Sequence, residues 1–308
     1  MKTSPSKREK KLPCQNKKSK LDDPKADERI HTIMTSPNYI PADEDSDFLR
    51  KDEVRGIRLE VDYLKPELLM REYGIEHTIV IYGSTRIVEA SEAKRKVESL
   101  EKEVKESNDP SLDPTLEREL RIAKRILDKS IYYDMARTFG SLVGRSGKGP
   151  DDARVTLVTG GGPGIMEAAN RGAFDVGARS IGLNITLPHE QYPNPYITPE
   201  LCFQFHYFAI RKLHFLRRAK ALVIFPGGFG TFDESFGAVT LMETKKIDPI
   251  PIIFVGEAYW RKMLDVEMFA EEGVIDIENL NMFKFAESAE EAWEIILQWH
   301  TDNGKPLV

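Results

Sequence analysis

Two segments dense in glycine constrain the fold of this chain more than any other feature of its sequence. Gly160–Gly164 and Pro226–Thr231 each follow a short run of apolar, β-branched residues, and each precedes a helical pattern. Short apolar runs of that kind bounded by glycine are typical of buried strands, and strands that alternate with helices indicate βαβ units. The sequence therefore predicts an α/β fold, a Rossmann-like, doubly wound parallel sheet with helical additions at the N-terminal side.

The same alternation extends beyond the two glycine-rich segments and predicts six strands. A helix is expected across roughly 203–219, and another begins at Thr231, the predicted N-cap, and runs to about residue 246. The expected strands are residues 77–82, 154–159, 180–185, 221–225, 251–255 and a last one near 282–285.

Three further regions complete the predicted organisation. Residues 1–45 lack apolar periodicity and are expected to be a disordered or extended basic arm, followed by a single domain over 46–308. Apolar residues at helical spacing over 46–75, interrupted by Pro66, predict a pair of helices. The charged stretch 87–143 predicts a helical hairpin with its tip near 108–114, where Asn and Asp precede proline.

Composition excludes several classes of protein. The chain has a net charge of −6, although residues 1–20 hold eight Lys or Arg. Such an arm is compatible with contact to nucleic acid or an acidic surface, but its lack of aromatics and helical periodicity favours a solvated, disordered tail. The acidic remainder argues against nucleic acid as the main partner. Two cysteines exclude a disulfide framework, and apolar runs are too short for a membrane span or a secretory signal. We therefore expect a cytoplasmic protein with no membrane partner.

The loops after three predicted strands carry the candidate binding residues. Ligands of doubly wound sheets lie at the carboxyl ends of the strands, and glycine-rich loops that open helices favour phosphate. The alternative is that these glycines only serve tight turns between strand and helix. The candidate phosphate-binding residues are Gly83, Ser84, Gly161, Gly162, Gly164, Gly227, Gly228, Gly230 and Thr231.

The phosphate ligand is not expected to be a dinucleotide or a nucleoside triphosphate. The G-x-G-x-x-G fingerprint fails, because Ile165 and Asp233 occupy the third glycine position of the two loops. Gly147-Lys148 lacks the remaining residues of a Walker A motif. His206 and His214 are eight residues apart without a clustered acid, so neither a metal nor a cofactor is expected. A mononucleotide or a sugar phosphate fits the loops better.

The two loops together resemble the paired signature of the LOG (Lonely Guy) family. The residues that carry the resemblance are Gly160-Gly161-Gly162-Pro163-Gly164-Ile165-Met166-Glu167 and Pro226-Gly227-Gly228-Phe229-Gly230-Thr231-Phe232-Asp233-Glu234. The segment between Asn184 and Phe208 is similar to the longer bacterial branch of the family. These proteins are phosphoribohydrolases, long mislabelled lysine decarboxylases, and include nucleotide 5′-monophosphate nucleosidases.

The resemblance implies an activity and a set of residues. The implied reaction is hydrolysis of the N-glycosidic bond of a nucleoside 5′-monophosphate, such as AMP or a cytokinin nucleotide, to free base and ribose 5-phosphate. The implied catalytic pair is Arg211, within Arg211-Lys212, and Glu234. A carboxylate suits this chemistry because the transition state resembles an oxocarbenium ion. Met166 is implied to line the ligand pocket, although a core methionine fits the local pattern equally well.

Three further expectations follow from the same resemblance. The family commonly has Gln-Thr-Gly-Lys where this chain has Glu243-Thr244-Lys245-Lys246, which puts the substrate preference in doubt. A homodimer or higher homo-oligomer is implied, with apolar helix faces within 203–219 and 231–246 available for pairing. The alternative function is that of a non-catalytic nucleotide- or molybdenum-cofactor-binding carrier protein of the same fold. The sequence leaves the preferred base open.

Overall fold

The computed structural model describes residues 16–106, 114–147, 154–188 and 192–307. The chain divides into two compact units, one ending at Arg58 and the other beginning at Leu59, whereas the sequence predicted a division after residue 45. Residues 1–15 of the basic arm, most of the expected hairpin tip and Lys148 lie outside the described residues.

A sheet of seven parallel strands forms the centre of the second unit. Its strands are rich in β-branched and other apolar residues, and most of their side chains are buried, as expected for strands covered on both faces. The strands are β1 (His77–Tyr82), β2 (Val155–Thr159), β3 (Ser180–Ile185), β4 (Cys202–Phe205), β5 (Ala219–Ile224), β6 (Ile252–Val255) and β7 (Phe283–Ala286).

The strand order is β4-β3-β2-β1-β5-β6-β7, so the chain runs outward from β1 in one direction and then returns to β5. Strands β1 and β5 are neighbours, with Tyr82 opposite Ile224. The order reverses between them, and this is where doubly wound sheets bind their ligands. The predicted α/β, doubly wound parallel fold is confirmed.

Helices cover both faces of the sheet and leave a separate core on each. One core contains side chains of α8 and α9, and the other contains side chains of α6, α7 and α12. The helices of the chain are α1 (Ala26–Met34), α2 (Ser46–Leu49), α3 (Arg55–Glu72), α4 (Ala90–Glu106), α5 (Pro114–Asp128), α6 (Ser130–Arg145), α7 (Ile165–Asp175), α8 (Phe208–Arg217), α9 (Phe229–Glu243), α10 (Glu257–Met263), α11 (Val266–Glu271) and α12 (Ala289–Asp302).

Strand β4 is the element that the sequence missed, because its residues were assigned to the start of a helix. Phe203 and Phe205 are buried while Gln204 between them is exposed, which is the alternation of an edge strand. The strand pairs with β3, with Ile185 opposite Phe205. Helix α8 therefore begins only at Phe208.

Pro66 does not interrupt the N-terminal helices as predicted, because α3 continues through it to Glu72. Proline removes a backbone donor and normally costs about 3 kcal/mol in a helix interior. Pro66, Glu67 and Met70 are all buried, so packing of this helical turn outweighs that cost. A pair of helices was predicted over 46–75, but the only other α-helix there is the single turn α2, which lies before α3.

The charged stretch 87–143 contains three helices rather than the two of the predicted hairpin. Helices α4 and α5 share a small core of Val97, Leu100 and Ala123. Lys129 then separates α5 from α6, whose residues Tyr133 and Phe139 are buried against the sheet. Because α6 buries these apolar side chains against the sheet, it belongs to the main fold and not to a solvated hairpin.

The first unit contains regular structure where the sequence predicted a disordered or extended arm. Helix α1 has acidic residues in its first turn, Asp27 and Glu28, which favour the positive end of the helix dipole. A 3-10 turn over Pro37–Tyr39 follows, capped by the Ser36 side chain. The acidic first turn of α1 and the Ser36 cap of the 3-10 turn support these elements despite their weak apolar periodicity.

Candidate active site

The loops that follow β1, β2 and β5 meet at the carboxyl edge of the sheet. The backbone N–H of Ser84 donates to the carbonyl of Pro226, at 3.0 Å, and the Ser84 carbonyl accepts from the N–H of Ile165, at 3.1 Å. Ser84 thus links the two glycine-rich loops through its backbone. Residues predicted from three separate segments of the sequence are brought together beside the β1–β5 switch point.

The first glycine-rich loop requires glycine at two positions. Gly161 and Gly164 have φ angles of 71° and 72°, in the left-handed region that other residues rarely adopt. A Cβ at Gly161 would collide with the Asn184 side chain, and one at Gly164 would collide with the backbone of Ser84 and Thr85. Gly164 caps α7, so this loop leads directly into a helix N-terminus.

Two buried asparagines hold the first loop in place. Asn194 donates from its backbone to the Gly161 carbonyl, at 2.8 Å, and from its side chain to the Gly162 carbonyl, at 3.1 Å. The Asn194 amide also donates to Asn170 Oδ1, which accepts a further bond from the Thr159 hydroxyl. The sequence analysis did not assign these residues, although Asn194 lies within the segment that carries the LOG resemblance.

The second loop leads into α9, which begins at Phe229 with Gly228 as the N-cap. The prediction that Thr231 is the N-cap is wrong, since Thr231 is the third residue of the helix and its N–H bonds to the Gly228 carbonyl. Its hydroxyl packs against Gly227, where any Cβ would collide with it. Gly228 and Gly230 face open space, so this loop leaves room for a ligand at the helix N-terminus.

Arg211 and Glu234, the predicted catalytic pair, form an ion pair between α8 and α9. Arg211 Nη2 lies 3.3 Å from Glu234 Oε1, and the two side chains are only 13% and 8% exposed. Lys212 Nζ lies 2.8 Å from Asp233 Oδ2 and 3.8 Å from Glu234 Oε2. The sequence motif contained Lys212, but its contact with both carboxylates was not foreseen.

Burial raises the pKa of Glu234 above its ordinary value, while the neighbouring Lys212 and Arg211 act to lower it. The Arg211 guanidinium lies between two aromatic rings, 5.0 Å from the centroid of Phe208 and 5.6 Å from that of Phe215. Cation–π contacts of this kind hold a guanidinium in one orientation. Arg211 and Glu234, together with Lys212 and Asp233, therefore form a charge cluster whose central pair is desolvated and held in one orientation.

The Arg211–Glu234 pair lies next to the first glycine-rich loop. A Cβ at Gly160 would be 2.9 Å from Met166 Sδ and 4.0 Å from Arg211 Nη1. Met166 is half-buried, and its Sδ atom and Arg211 Nη1 both lie within 4.0 Å of the position that a Gly160 Cβ would occupy. The predicted binding residues and the predicted catalytic pair therefore form one site.

Glu243 lies outside this site. It is exposed at the last residue of α9 and accepts a hydrogen bond from the Asn279 amide, at 2.8 Å. Nine residues of helix separate it from Glu234, or roughly 13 Å along the axis. The departure from the family pattern at this position is thus distant from the charge cluster.

A cleft of about 1090 Å³ lies at the opposite, amino-terminal edge of the sheet. The first residues of β1 and β5, His77 and Ala219, line it together with Ile250, Trp299 and other mainly apolar side chains. The cleft contains neither glycine-rich loop nor Glu234, although Lys212, which contacts Glu234 from α8, also lines it.

Within the described ranges, no cluster of three or more His, Cys, Asp or Glu side chains is arranged to hold a metal ion. None of the helices in those ranges is long and apolar enough to cross a membrane.

The comparison with family models concerns the part of the chain that contains β3 to β7. Residues 166–296, which include Arg211 and Glu234, match the family model described as "Possible lysine decarboxylase". The match begins after the first glycine-rich loop and does not distinguish the branches of the family. No curated protein is similar enough in sequence to match the chain.

Two solved structures are similar to part of this chain. The crystal structure of TM1055 is 19% identical, with 72% of this chain and 99% of that chain covered and a TM-score of 0.42. The molybdenum cofactor binding protein from the phototrophic bacterium Rippkaea orientalis is 17% identical, with 73% and 97% covered and a TM-score of 0.40. At these low values neither likeness bears on function.

Proposed function

We propose that this protein hydrolyses the N-glycosidic bond of a nucleoside 5′-monophosphate to free base and ribose 5-phosphate. The observation that carries the proposal is the buried Arg211–Glu234 pair, which lies beside two glycine-rich helix N-termini at the switch point of the sheet. These groups supply two separate functions, an anion site and a desolvated carboxylate. A nucleoside monophosphate requires both.

The 5′-phosphate binds at the glycine-rich loops. The N-terminal turns of α7 and α9 both point toward the carboxyl edge, and free backbone N–H groups together with the helix dipole favour an anion there. Gly228 and Gly230 leave open space for phosphate oxygens to approach the backbone. A nucleoside without the phosphate loses this binding energy and is a poor substrate.

Glu234 stabilises positive charge at the sugar during bond cleavage. As the C1′–N bond breaks, its electron pair leaves with the base and C1′ becomes cationic. Water adds to C1′, and the proton that water loses finally resides on the base. Because Glu234 is buried, its carboxylate acts at low local dielectric, where a charge interaction is stronger than in water.

Arg211 and Lys212 stabilise the ionised form of Glu234 against the effect of burial. Burial alone raises the pKa of the carboxyl group, and the two neighbouring cations oppose that shift. Arg211 also presents further donors to the sugar or phosphate, in the planar arrangement that suits bidentate recognition. We therefore assign Glu234 to stabilisation of the transition state, and Arg211 both to substrate binding and to stabilisation of the carboxylate form of Glu234.

The proposal is tested by incubating the purified protein with a panel of nucleoside 5′-monophosphates and the matching nucleosides, followed by chromatography of released base. We expect release from at least one purine nucleotide, with AMP and a cytokinin nucleotide as the first candidates, and no comparable release from the nucleoside. Equal rates with AMP and adenosine contradict the phosphate site. Tight nucleotide binding without any base release indicates the carrier function instead.

A further inference from the structure

The floor of the candidate active site contains a tyrosine that the proposed mechanism does not use. Tyr82 is the last residue of β1, only 6% exposed, and belongs to the core on the α8 and α9 side of the sheet. Its ring contacts Phe215 edge-on, with centroids 5.2 Å apart, and the same phenylalanine supports the Arg211 guanidinium. Tyr82 and Arg211 therefore pack against the same ring, and the charges of Glu234 and Arg211 both act on the Tyr82 hydroxyl.

Three buried polar atoms around this point lack hydrogen-bond partners among the described residues. They are the Tyr82 hydroxyl, Arg211 Nε and Glu234 Oε2, the last with only the 3.8 Å ion pair to Lys212. Leaving one buried polar atom without a hydrogen bond costs about 1–3 kcal/mol. Three buried atoms without partners in one site indicate that a bound ligand supplies the missing hydrogen bonds.

The chemical character of the three atoms identifies the ligand group. Arg211 Nε–H and the Tyr82 hydroxyl are donors, and Glu234 Oε2 is an acceptor. A hydroxyl group accepts two hydrogen bonds and donates one, so it complements all three atoms at once. A phosphate oxygen has no proton to donate at neutral pH and would meet the Glu234 carboxylate as a like charge.

We infer that Tyr82 is a specificity-determining residue whose phenol donates a hydrogen bond to a sugar hydroxyl of the ligand, which in turn donates to Glu234. This inference rests on the proposed function, because it places the ribose of the nucleotide over the end of β1. A site built in this way discriminates against a substrate that lacks the hydroxyl, since its buried polar groups are then left without partners.

The test compares Tyr82→Phe with a matched control, Tyr133→Phe. Tyr133 is also buried, at 2% exposed, but its hydroxyl is paired with Glu167 at 2.9 Å. In the ligand-free protein we expect Tyr82→Phe to leave Tm unchanged or raise it by roughly 2–4 °C, because it removes an unpaired hydroxyl. Tyr133→Phe is expected to lower Tm. A fall in Tm for Tyr82→Phe equal to that of the control overturns the inference.

The second readout is a cycle over three nucleotides, AMP, 2′-deoxy-AMP and 3′-deoxy-AMP. We expect Tyr82→Phe to lower kcat/KM for AMP by roughly 5- to 100-fold and to have little effect on one of the deoxynucleotides. The intrinsic reactivity of each nucleotide cancels, since each is compared between two proteins. An equal loss on all three nucleotides shows a structural tyrosine and overturns the inference while leaving the proposed function intact.

Failure of the proposed function gives a different result. If the wild-type protein releases no base, the same three nucleotides are titrated by calorimetry with wild-type protein and Tyr82→Phe. Weaker binding of AMP to the variant, with unchanged binding of one deoxynucleotide, supports the hydroxyl contact without turnover. Equal changes in affinity for all three nucleotides overturn it.

Discussion

Replacement of Glu234 by glutamine tests the proposed chemistry most directly. In the wild-type site, Arg211 and Lys212 are balanced by Asp233 and Glu234, so the four charges sum to zero. Glu234→Gln preserves the shape of the side chain but leaves the cluster with one excess positive charge. That charge would then oppose the cation that develops at C1′.

The magnitude follows from the position of the carboxylate. Two unit charges about 4 Å apart at an effective dielectric constant of about 20 interact by roughly 4 kcal/mol, and each 1.36 kcal/mol is a factor of ten in rate. We therefore expect kcat to fall by roughly 10²- to 10³-fold, with little change in KM because the interaction arises in the transition state.

Asp233→Asn is the matched control, because Asp233 carries the same charge, contacts the same lysine and is 65% exposed. Solvent screens such a group, so we expect its removal to change kcat by less than about fivefold. The assay is chromatography of released base over a range of AMP concentrations. If Glu234→Gln retains more than about a tenth of wild-type kcat, the carboxylate is structural and the mechanism is wrong.

Other perturbations separate binding, stability and assembly. Arg211→Ala should raise KM as well as lower kcat, because it removes a substrate-binding cation; a change in kcat alone would contradict that role. Glu67→Gln should lower the free energy of unfolding at pH 7 by about 3 kcal/mol in urea titrations. Burial acts to raise the pKa of Glu67, but hydrogen bonds from Arg218 and Arg217 lower it from 4.5 to about 2, so this stabilisation is present above pH 4.5 and is lost as the pH falls toward 2. The two proteins should then be equally stable near pH 2, and a difference that persists there would exclude the ionised carboxylate as the cause. Light scattering should show a homodimer or a multiple of it, since Phe208 and Leu213 are exposed on α8; a stable monomer at micromolar concentration would contradict this.

Local signals in the sequence predicted the fold class, and the resemblance to the LOG family supplied the predicted catalytic pair. β-branched runs followed by glycine and a helical pattern predict βαβ units, whose connection geometry allows few arrangements. Gly161 and Gly164 were recognisable from the density of glycine between a predicted strand and a predicted helix, and their left-handed backbone angles explain why glycine is needed there. Arg211 and Glu234 were found through the motifs that contain them, and the structure places them 3.3 Å apart.

Contacts between distant segments decided what the sequence could not. Strand β4 and the uninterrupted helix through Pro66 depend on burial against the rest of the molecule, which outweighs local propensity. The strand order placed Tyr82 against Phe215, the ring that also contacts Arg211, although more than 125 residues of chain separate Tyr82 from either. Whether a buried polar atom finds a partner is a property of the assembled core, so the unpaired hydroxyl of Tyr82 has no signature in the sequence.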